Sequence, residues 1–147
     1  MRILGLDYGS KKIGLAVSDE LGVTAQAVCV IARKNMERDL EQIADYVSRY
    51  RVEKIVVGYP LRLDGSEGIQ CGKVNRFIER LSSRFLIPVV RWDETLSTRE
   101  AEDILTEANI SRKKRKSVVD KIAAGIILQS YLDHLRAKNN FRAPSFF

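Results

Sequence analysis

The sequence is poor in the residues on which several classes of enzyme and binding protein depend. Among 147 residues there are two cysteines, one histidine, one tryptophan and three prolines. Cys29 and Cys71 lie far apart and form no CxxC pair, so we expect two unreactive thiols rather than a disulfide, a zinc site or a nucleophile. His134 lies near the end of a predicted helix, and with no second histidine the chain offers no histidine-dependent triad.

Long apolar runs are also missing. No segment approaches the roughly 20 apolar residues that cross a bilayer, and the N-terminal "MRILGLD" lacks the pattern of a secretory signal peptide. We therefore expect a cytoplasmic protein with no membrane partner. The length fits one compact domain, which we place at residues 1–137, followed by a flexible tail at 138–147.

Positive charge is what the sequence has in excess. Lysine and arginine number 25 against 19 acids, which gives a net charge of +6 and an isoelectric point near 9.5. This balance favours a polyanionic partner such as nucleic acid, although a lysine-rich surface alone would also explain it. The densest run has five consecutive basic residues, which either contact a phosphate backbone or stay solvated and flexible. These residues are Arg112, Lys113, Lys114, Arg115 and Lys116.

Hydrophobic periodicity predicts the element order β-β-β-α-β-α-β-α-α. The predicted strands span residues 2–7, 11–18, 23–31, 54–58 and 88–92, and the predicted helices 36–50, 74–85, 97–108 and 117–135. The short spacings among the first three strands indicate an antiparallel meander. Strand–helix–strand crossovers should make the first, fourth and fifth strands parallel. Their carboxyl ends then share one edge of the sheet, where ligands of open α/β sheets bind.

Acidic residues stand at the ends of these strands. Asp7 ends the first strand, and Asp93 and Glu94 end the fifth. Asp120 lies near the start of the last predicted helix, where the helix dipole makes an acid tolerable. Acids that share one edge repel each other, and a bridging Mg²⁺ or Mn²⁺ would remove that cost. Each acid also has a structural explanation, as a turn former, a solvated loop residue or a helix cap.

Small, basic and aromatic residues surround the first predicted turn. Gly9 allows close approach of the backbone, and Lys11 and Lys12 either hold a substrate phosphate or are solvated hairpin lysines. Tyr8 and Tyr59 lie near the predicted edge, where we expect them to be available for stacking on bases.

Four segments of the chain resemble successive motifs of the YqgF/RuvX family. They are "LDYGSKKIGLAVSD", "VGYPLRLDGSEG", "WDETLST" and "VDKIAAGIILQSYLD", between about Ile3 and Leu135. The resemblance implies an α/β, ribonuclease H-like fold, with a mixed five-stranded sheet of order 3-2-1-4-5, an antiparallel strand 2 and flanking helices. Members are described as Holliday junction resolvases and as nucleases in 5′-end maturation of pre-16S ribosomal RNA.

The resemblance also implies roles for individual residues. Asp7, Glu94 and Asp120 would be catalytic and would bind Mg²⁺ or Mn²⁺, with Asp93 as a further metal ligand and Glu94 preferred over it. The chain departs from many members at Thr95, which stands where they have an arginine able to hold a phosphate.

From residues and resemblance together we expect a metal-dependent nuclease, a hydrolase of ester bonds, that processes the 5′ end of pre-16S rRNA in ribosome biogenesis. A Holliday junction resolvase and a non-catalytic RNA- or ribosome-binding factor are the alternatives. The expected partners are pre-rRNA or branched DNA and ribosomal particles. We expect the protein itself to be a monomer or a homodimer. Nucleotide hydrolysis is disfavoured, because actin-like ATPases enclose the nucleotide between two such domains and the chain has the length of one.

Overall fold

The structure is a computed structural model that describes residues 1–60, 68–93 and 111–142. Within the last range, the side chains of residues 112, 113, 115–117, 119, 120 and 139–142 are not described. The strands are β1 (Arg2–Tyr8), β2 (Lys12–Ser18), β3 (Ala25–Ala32), β4 (Val52–Tyr59) and β5 (Val89–Asp93), and the helices are α1 (Met36–Arg49), α2 (Ile69–Arg84) and α3 (Arg112–Arg142). The predicted helix at 97–108 lies outside the described residues.

The five strands form one mixed sheet of order β3-β2-β1-β4-β5. β2 pairs antiparallel with both β1 and β3, whereas β4 pairs parallel with β1 and β5. The predicted strand order, the meander and the common direction of β1, β4 and β5 are therefore confirmed. The carboxyl ends of these three strands lie at one edge, which we call the carboxyl edge.

Helices cover both faces of the sheet and create two separate apolar cores. Leu4 and Leu6 of β1 pack with Phe77 of α2 on one face, in a cluster that also contains residues of α1. Ile3 packs with Leu128 of α3 on the other face. Because β1 is buried on both faces, its sequence is apolar almost throughout rather than alternating.

α3 is longer at both ends than the periodicity predicts. It begins at Arg112 rather than near residue 117, so the basic run 112–116 is helical and not a flexible segment before the helix. Position 120 is then the ninth residue of α3. The helix dipole acts mainly in the first turn, so the explanation of Asp120 by the dipole is wrong.

The C-terminal part of the chain differs from the expected tail in one respect. Residues 138–142 continue α3, and residues 143–147 lie outside the described part. No helix within the described ranges is both long and apolar enough to cross a lipid bilayer. The two cysteines are free thiols, as predicted.

Candidate active site

Asp7 lies at the carboxyl edge, one residue before the end of β1, and is half-buried. Strand alternation places it on the face of Ile3 and Gly5, which is covered by α3. Across the β1–β2 pair it lies opposite Gly14, whose missing side chain leaves space beside the Asp7 carboxyl group. That space is a cavity of about 280 Å³ lined by Asp7, Gly9, Ser10, Lys11, Lys12, Gly14 and Val30. Four residues that the sequence singled out thus surround one cavity, which we call the Asp7 cavity.

The turn between β1 and β2 is tight because of Gly9. Its backbone N–H donates to the carbonyl of Lys12 over 2.9 Å, and a Cβ at position 9 would lie 2.9 Å from that same oxygen. Real Cβ atoms essentially never come so close to another atom. The turn therefore requires glycine for its own closure. Lys11 and Lys12, which follow it, are both exposed beside the cavity.

Arg33, which the sequence analysis did not single out, anchors this turn. Its Nη1 donates to the carbonyls of Gly9 and Ser10, each over 3.1 Å, and its guanidinium carbon lies 4.4 Å from the centroid of the Tyr8 ring. Its Nε is 3.8 Å from Oδ2 of Asp39, a side chain that is only 2 % exposed. The only signal in the sequence is that Arg33 directly follows β3, and the pairing of β3 with β2 is what brings it to the turn.

The expectation that Tyr8 and Tyr59 are available for base stacking is wrong. Each is 6 % exposed. The Tyr8 ring stacks on Phe77 with centroids 4.0 Å apart, which makes it part of the core under α2. Burial raises the pKa of Tyr8 above its ordinary value, and the positive charge of Arg33 opposes this rise.

Asp93 reaches the same edge as Asp7 but belongs to the other face of the sheet. It ends β5 opposite Tyr59, and β4 separates it from β1. Trp92 hydrogen-bonds a serine of α3, whereas Arg91 hydrogen-bonds an asparagine of α2. Because side chains alternate along a strand, Asp93 lies on the same face of the sheet as Arg91, which is the face opposite that of Asp7. This separation weakens the case for Asp93 as a shared metal ligand, while Glu94 lies outside the described residues.

Gly5 allows α3 to lie very close to β1. A Cβ on Gly5 would be 2.8 Å from Cβ of Leu128 and 3.1 Å from the carbonyl oxygen of Ala124. Moving from Ala124 back to position 120 covers about 6 Å along the helix, and moving from Gly5 to Asp7 covers about 7 Å along the strand. Both steps lead toward the carboxyl edge. Tyr131, which lies further along α3, hydrogen-bonds Lys54 near the start of β4, so α3 runs away from the carboxyl edge as it proceeds.

The backbone at position 120 therefore lies at the height of Asp7, although the side chain of Asp120 is not described. The basic run, in the first turns of α3, extends from there past the carboxyl edge. Of its side chains, that of Lys114 is described, and it is exposed. In the described part of the chain no three cysteine, histidine or acidic side chains form a metal-binding group. Since Glu94 and the side chain of Asp120 lie outside that part, the predicted three-acid site stays a prediction.

Comparison with known proteins identifies the family. The family described as "RuvX: Holliday junction resolvase" matches residues 1–134. The chain belongs to the RuvX family. The resemblance seen in four sequence motifs is thereby confirmed.

Two relatives in the RuvX family match almost the full chain. A protein of Syntrophus aciditrophicus named "Putative pre-16S rRNA nuclease" is 61% identical over 133 residues, covering 90% of this chain and 89% of its own. A protein of Halothermothrix orenii with the same name is 54% identical over 134 residues, covering 91% and 96%.

Solved structures with little sequence identity share the fold of this RuvX-family chain. Thermus thermophilus RuvC in complex with a Holliday junction substrate matches with a TM-score of 0.56 at 16% identity, covering 92% of this chain and 96% of RuvC. The fowlpox virus Holliday junction resolvase matches with a TM-score of 0.51 at 18% identity, covering 91% and 99%. The expected ribonuclease H-like, RuvC-related fold is confirmed.

Proposed function

We propose that this RuvX-family chain is a metal-dependent nuclease that hydrolyses phosphodiester bonds and processes the 5′ end of pre-16S rRNA in the cytoplasm. The observation that carries the proposal is the half-buried Asp7 in a cavity bordered by Lys11 and Lys12 at the carboxyl edge. The substrate follows from the names of two relatives that are 61% and 54% identical.

The Asp7 cavity suits a hard divalent cation. Asp7 lines the cavity opposite Gly14, and Mg²⁺ and Mn²⁺ prefer carboxylate oxygens. Asp7, Glu94 and Asp120 would hold the cation, with Asp93 less suited because of its face. When bound, such a cation lowers the pKa of a coordinated water and neutralises charge on the leaving oxygen.

The described residues contribute position and charge. Arg33 holds the carbonyls of Gly9 and Ser10, so the turn beside Asp7 is fixed before a substrate arrives. A preorganised site loses less in ordering itself around the reacting group. Lys11 and Lys12 lie on this turn, where their ammonium groups would attract the phosphate to be cleaved.

The test compares wild type with Asp7→Asn, Asp93→Asn and Asp45→Asn on end-labelled precursor 16S RNA, in Mn²⁺ and in EDTA. We expect cleavage that requires Mn²⁺ and that falls roughly 100-fold or more in Asp7→Asn, beyond the typical loss for a residue that only orients a ligand. Asp93→Asn should retain more activity than Asp7→Asn. Asp45 is exposed on α1 and serves as the control for loss of one acid. Equal cleavage by wild type and Asp7→Asn would reject the site.

A Holliday junction resolvase is the second candidate, favoured by the family description and by the fold shared with RuvC. A labelled four-way junction in the same assay separates the two. Symmetric junction cleavage needs two active sites and hence a homodimer. Cleavage of the junction alone would move the assignment to resolvase. Metal-independent binding of RNA or ribosomal particles without cleavage would indicate that the protein is a non-catalytic binding factor.

A further inference from the structure

A second cavity lies on the other side of the β1–β2 turn, on the face covered by α1 and α2. It measures about 510 Å³ and is lined by Tyr8, Arg33, Met36, Lys73, Arg76, Glu79 and Arg80. We call it the α2 cleft. Four of its side chains are cationic and one is acidic, so its wall carries a clear excess of positive charge.

Three of these cations form a row along α2. Lys73, Arg76 and Arg80 are spaced by three and four residues, which places them on one face of the helix, and all three are exposed. In the part of the chain that the structure describes, none of them forms an ion pair. α2 also has no acid in its first turn, so its positive dipole end adds to the charge near the cleft. This spacing was visible in the sequence, but only the fold shows that the row borders a cavity.

The α2 cleft and the Asp7 cavity are separated only by the turn. Asp7 and Tyr8 are consecutive in β1 and point to opposite faces, one into each cavity. Arg33 joins the two, because it lines the cleft while its Nη1 bonds the carbonyls of Gly9 and Ser10, which line the Asp7 cavity. A chain that passes over this turn would therefore meet both surfaces.

The shape of the cationic row indicates an extended anion rather than a single phosphate. From Lys73 to Arg80 the helix rises about 10 Å. One nucleic acid strand places a charge about every 3.4 Å along its axis, so the row covers about three nucleotides. A free phosphate could engage one end of the row at most.

We propose that the α2 cleft binds the sugar–phosphate backbone of the same nucleic acid that is cut at Asp7, a few nucleotides from the cleaved bond. The identity of the bound strand rests on the proposed nuclease function, whereas the binding itself requires no cleavage. Backbone contacts of this kind position a substrate without reading its sequence.

The test measures binding of a fluorescently labelled precursor 16S RNA duplex by anisotropy in EDTA, at several KCl concentrations. The cleft variant is Lys73→Gln/Arg76→Gln/Arg80→Gln. The control variant, Arg84→Gln/Arg136→Gln/Lys138→Gln, removes three exposed cations outside the cleft. Each lost phosphate contact should reduce the slope of log K against log salt by about 0.7–0.9, so the three substitutions of the cleft variant should lower it by about two to three units. The control should keep a slope close to that of wild type.

A change of opposite sign tests the same surface. Glu79→Gln removes the acid of the cleft and should tighten RNA binding by about two- to fivefold, the range for exposed charge pairs. Unchanged thermal melting of each variant confirms that it is folded. Equal losses in the cleft and control variants, or weaker binding by Glu79→Gln, would overturn the proposal.

Hydrolysis of a small phosphodiester, bis(p-nitrophenyl) phosphate, separates this proposal from the nuclease site. Such a substrate is too short to reach the cleft from the Asp7 cavity, so the cleft variant should hydrolyse it at the wild-type rate while Asp7→Asn does not. If Asp7→Asn still hydrolyses this substrate while the cleft variant shows a reduced salt dependence of RNA binding, the α2 cleft is supported and the Asp7 site is rejected. A cleft variant with the wild-type slope rejects the cleft whatever the hydrolysis shows.

Discussion

Gly5 determines how closely α3 approaches the strand that carries Asp7. An alanine there would bring its Cβ within 2.8 Å of Cβ of Leu128, with no flexible side-chain end to give way. The contact lies two residues below Asp7 in β1, on the same face. A shift of α3 at this point would therefore also move the helix turn that contains position 120.

We expect Gly5→Ala to lower the free energy of unfolding by about 1–3 kcal/mol, the usual effect of overpacking a core, and to reduce RNA cleavage. Urea unfolding and the cleavage rate measure the two effects. Gly72→Ala in α2 is the matched control, because nothing lies within 4 Å of the added methyl group. That change should stabilise the protein by about 0.5–1 kcal/mol. Equal tolerance of the two substitutions would contradict the close approach.

Arg33 supports the β1–β2 turn from the side of the sheet opposite Asp7. Replacement by glutamine removes the cation beside Asp39 and the donor shared by the carbonyls of Gly9 and Ser10. We expect Arg33→Gln to cost about 1–3 kcal/mol of unfolding free energy and to slow RNA cleavage. Lys34→Gln is the control, because Lys34 bonds Asp39 through its backbone N–H and its side chain is exposed. If both substitutions cost the same, the anchoring role is wrong.

Among the elements, the β2–β3 connection contains a turn held by a carboxylate. Oδ1 of Asp19 accepts the backbone N–H groups of Val23 over 2.7 Å and Thr24 over 3.2 Å. These bonds favour the ionised form and hold the pKa of Asp19 below its ordinary value. A lowered folded pKa stabilises the native state above the unfolded pKa of about 3.9, and this contribution is lost as the pH falls through the folded pKa.

We therefore expect Asp19→Ala to be less stable than wild type at neutral pH, with a difference that narrows as the pH falls below about 4. Urea unfolding at a series of pH values from 7 downward measures the difference. A constant difference over that range would show that Asp19 stabilises the turn by something other than its charge.

On the scale of the whole molecule, the sheet separates a core under α1 and α2 from a core under α3. Ile43 and Ile127 are fully buried on opposite faces, one in each core. The Asp7 cavity adjoins only the α3 side. A change in either core should lower stability, but only the α3 core should affect the geometry beside Asp7.

We expect Ile43→Val and Ile127→Val each to cost about 0.5–1.5 kcal/mol of unfolding free energy. The double variant should cost the sum of the two within about 0.5 kcal/mol, since the residues share no core. RNA cleavage per folded molecule should fall more in Ile127→Val than in Ile43→Val. The reverse order would show that α3 does not position the site.

The sequence predicted the elements and their order because these depend on local patterns. Apolar alternation and helical spacing identified the strands and most helices, and the crossover rule gave the parallel direction of β1, β4 and β5. The sequence placed Asp7, Gly9, Lys11 and Lys12 beside one another for the same reason, since one strand end and one turn carry all four. The four motifs then gave the family.

Other features depended on register and packing between distant segments, which no local pattern contains. Tyr8 is core because Phe77 covers it, and Arg33 reaches the turn only through the pairing of β3 with β2. The observed β4–β5 register, together with the alternation of side chains along each strand, places Asp93 and Asp7 on opposite faces of the sheet. By itself the sequence determined the succession of elements and the common direction of β1, β4 and β5, since both follow from spacing along the chain, while the resemblance to the family supplied the strand order. Only the tertiary structure decided which faces meet and that the cations of α2 lie beside the β1–β2 turn, because those relations arise from contacts between residues far apart in sequence.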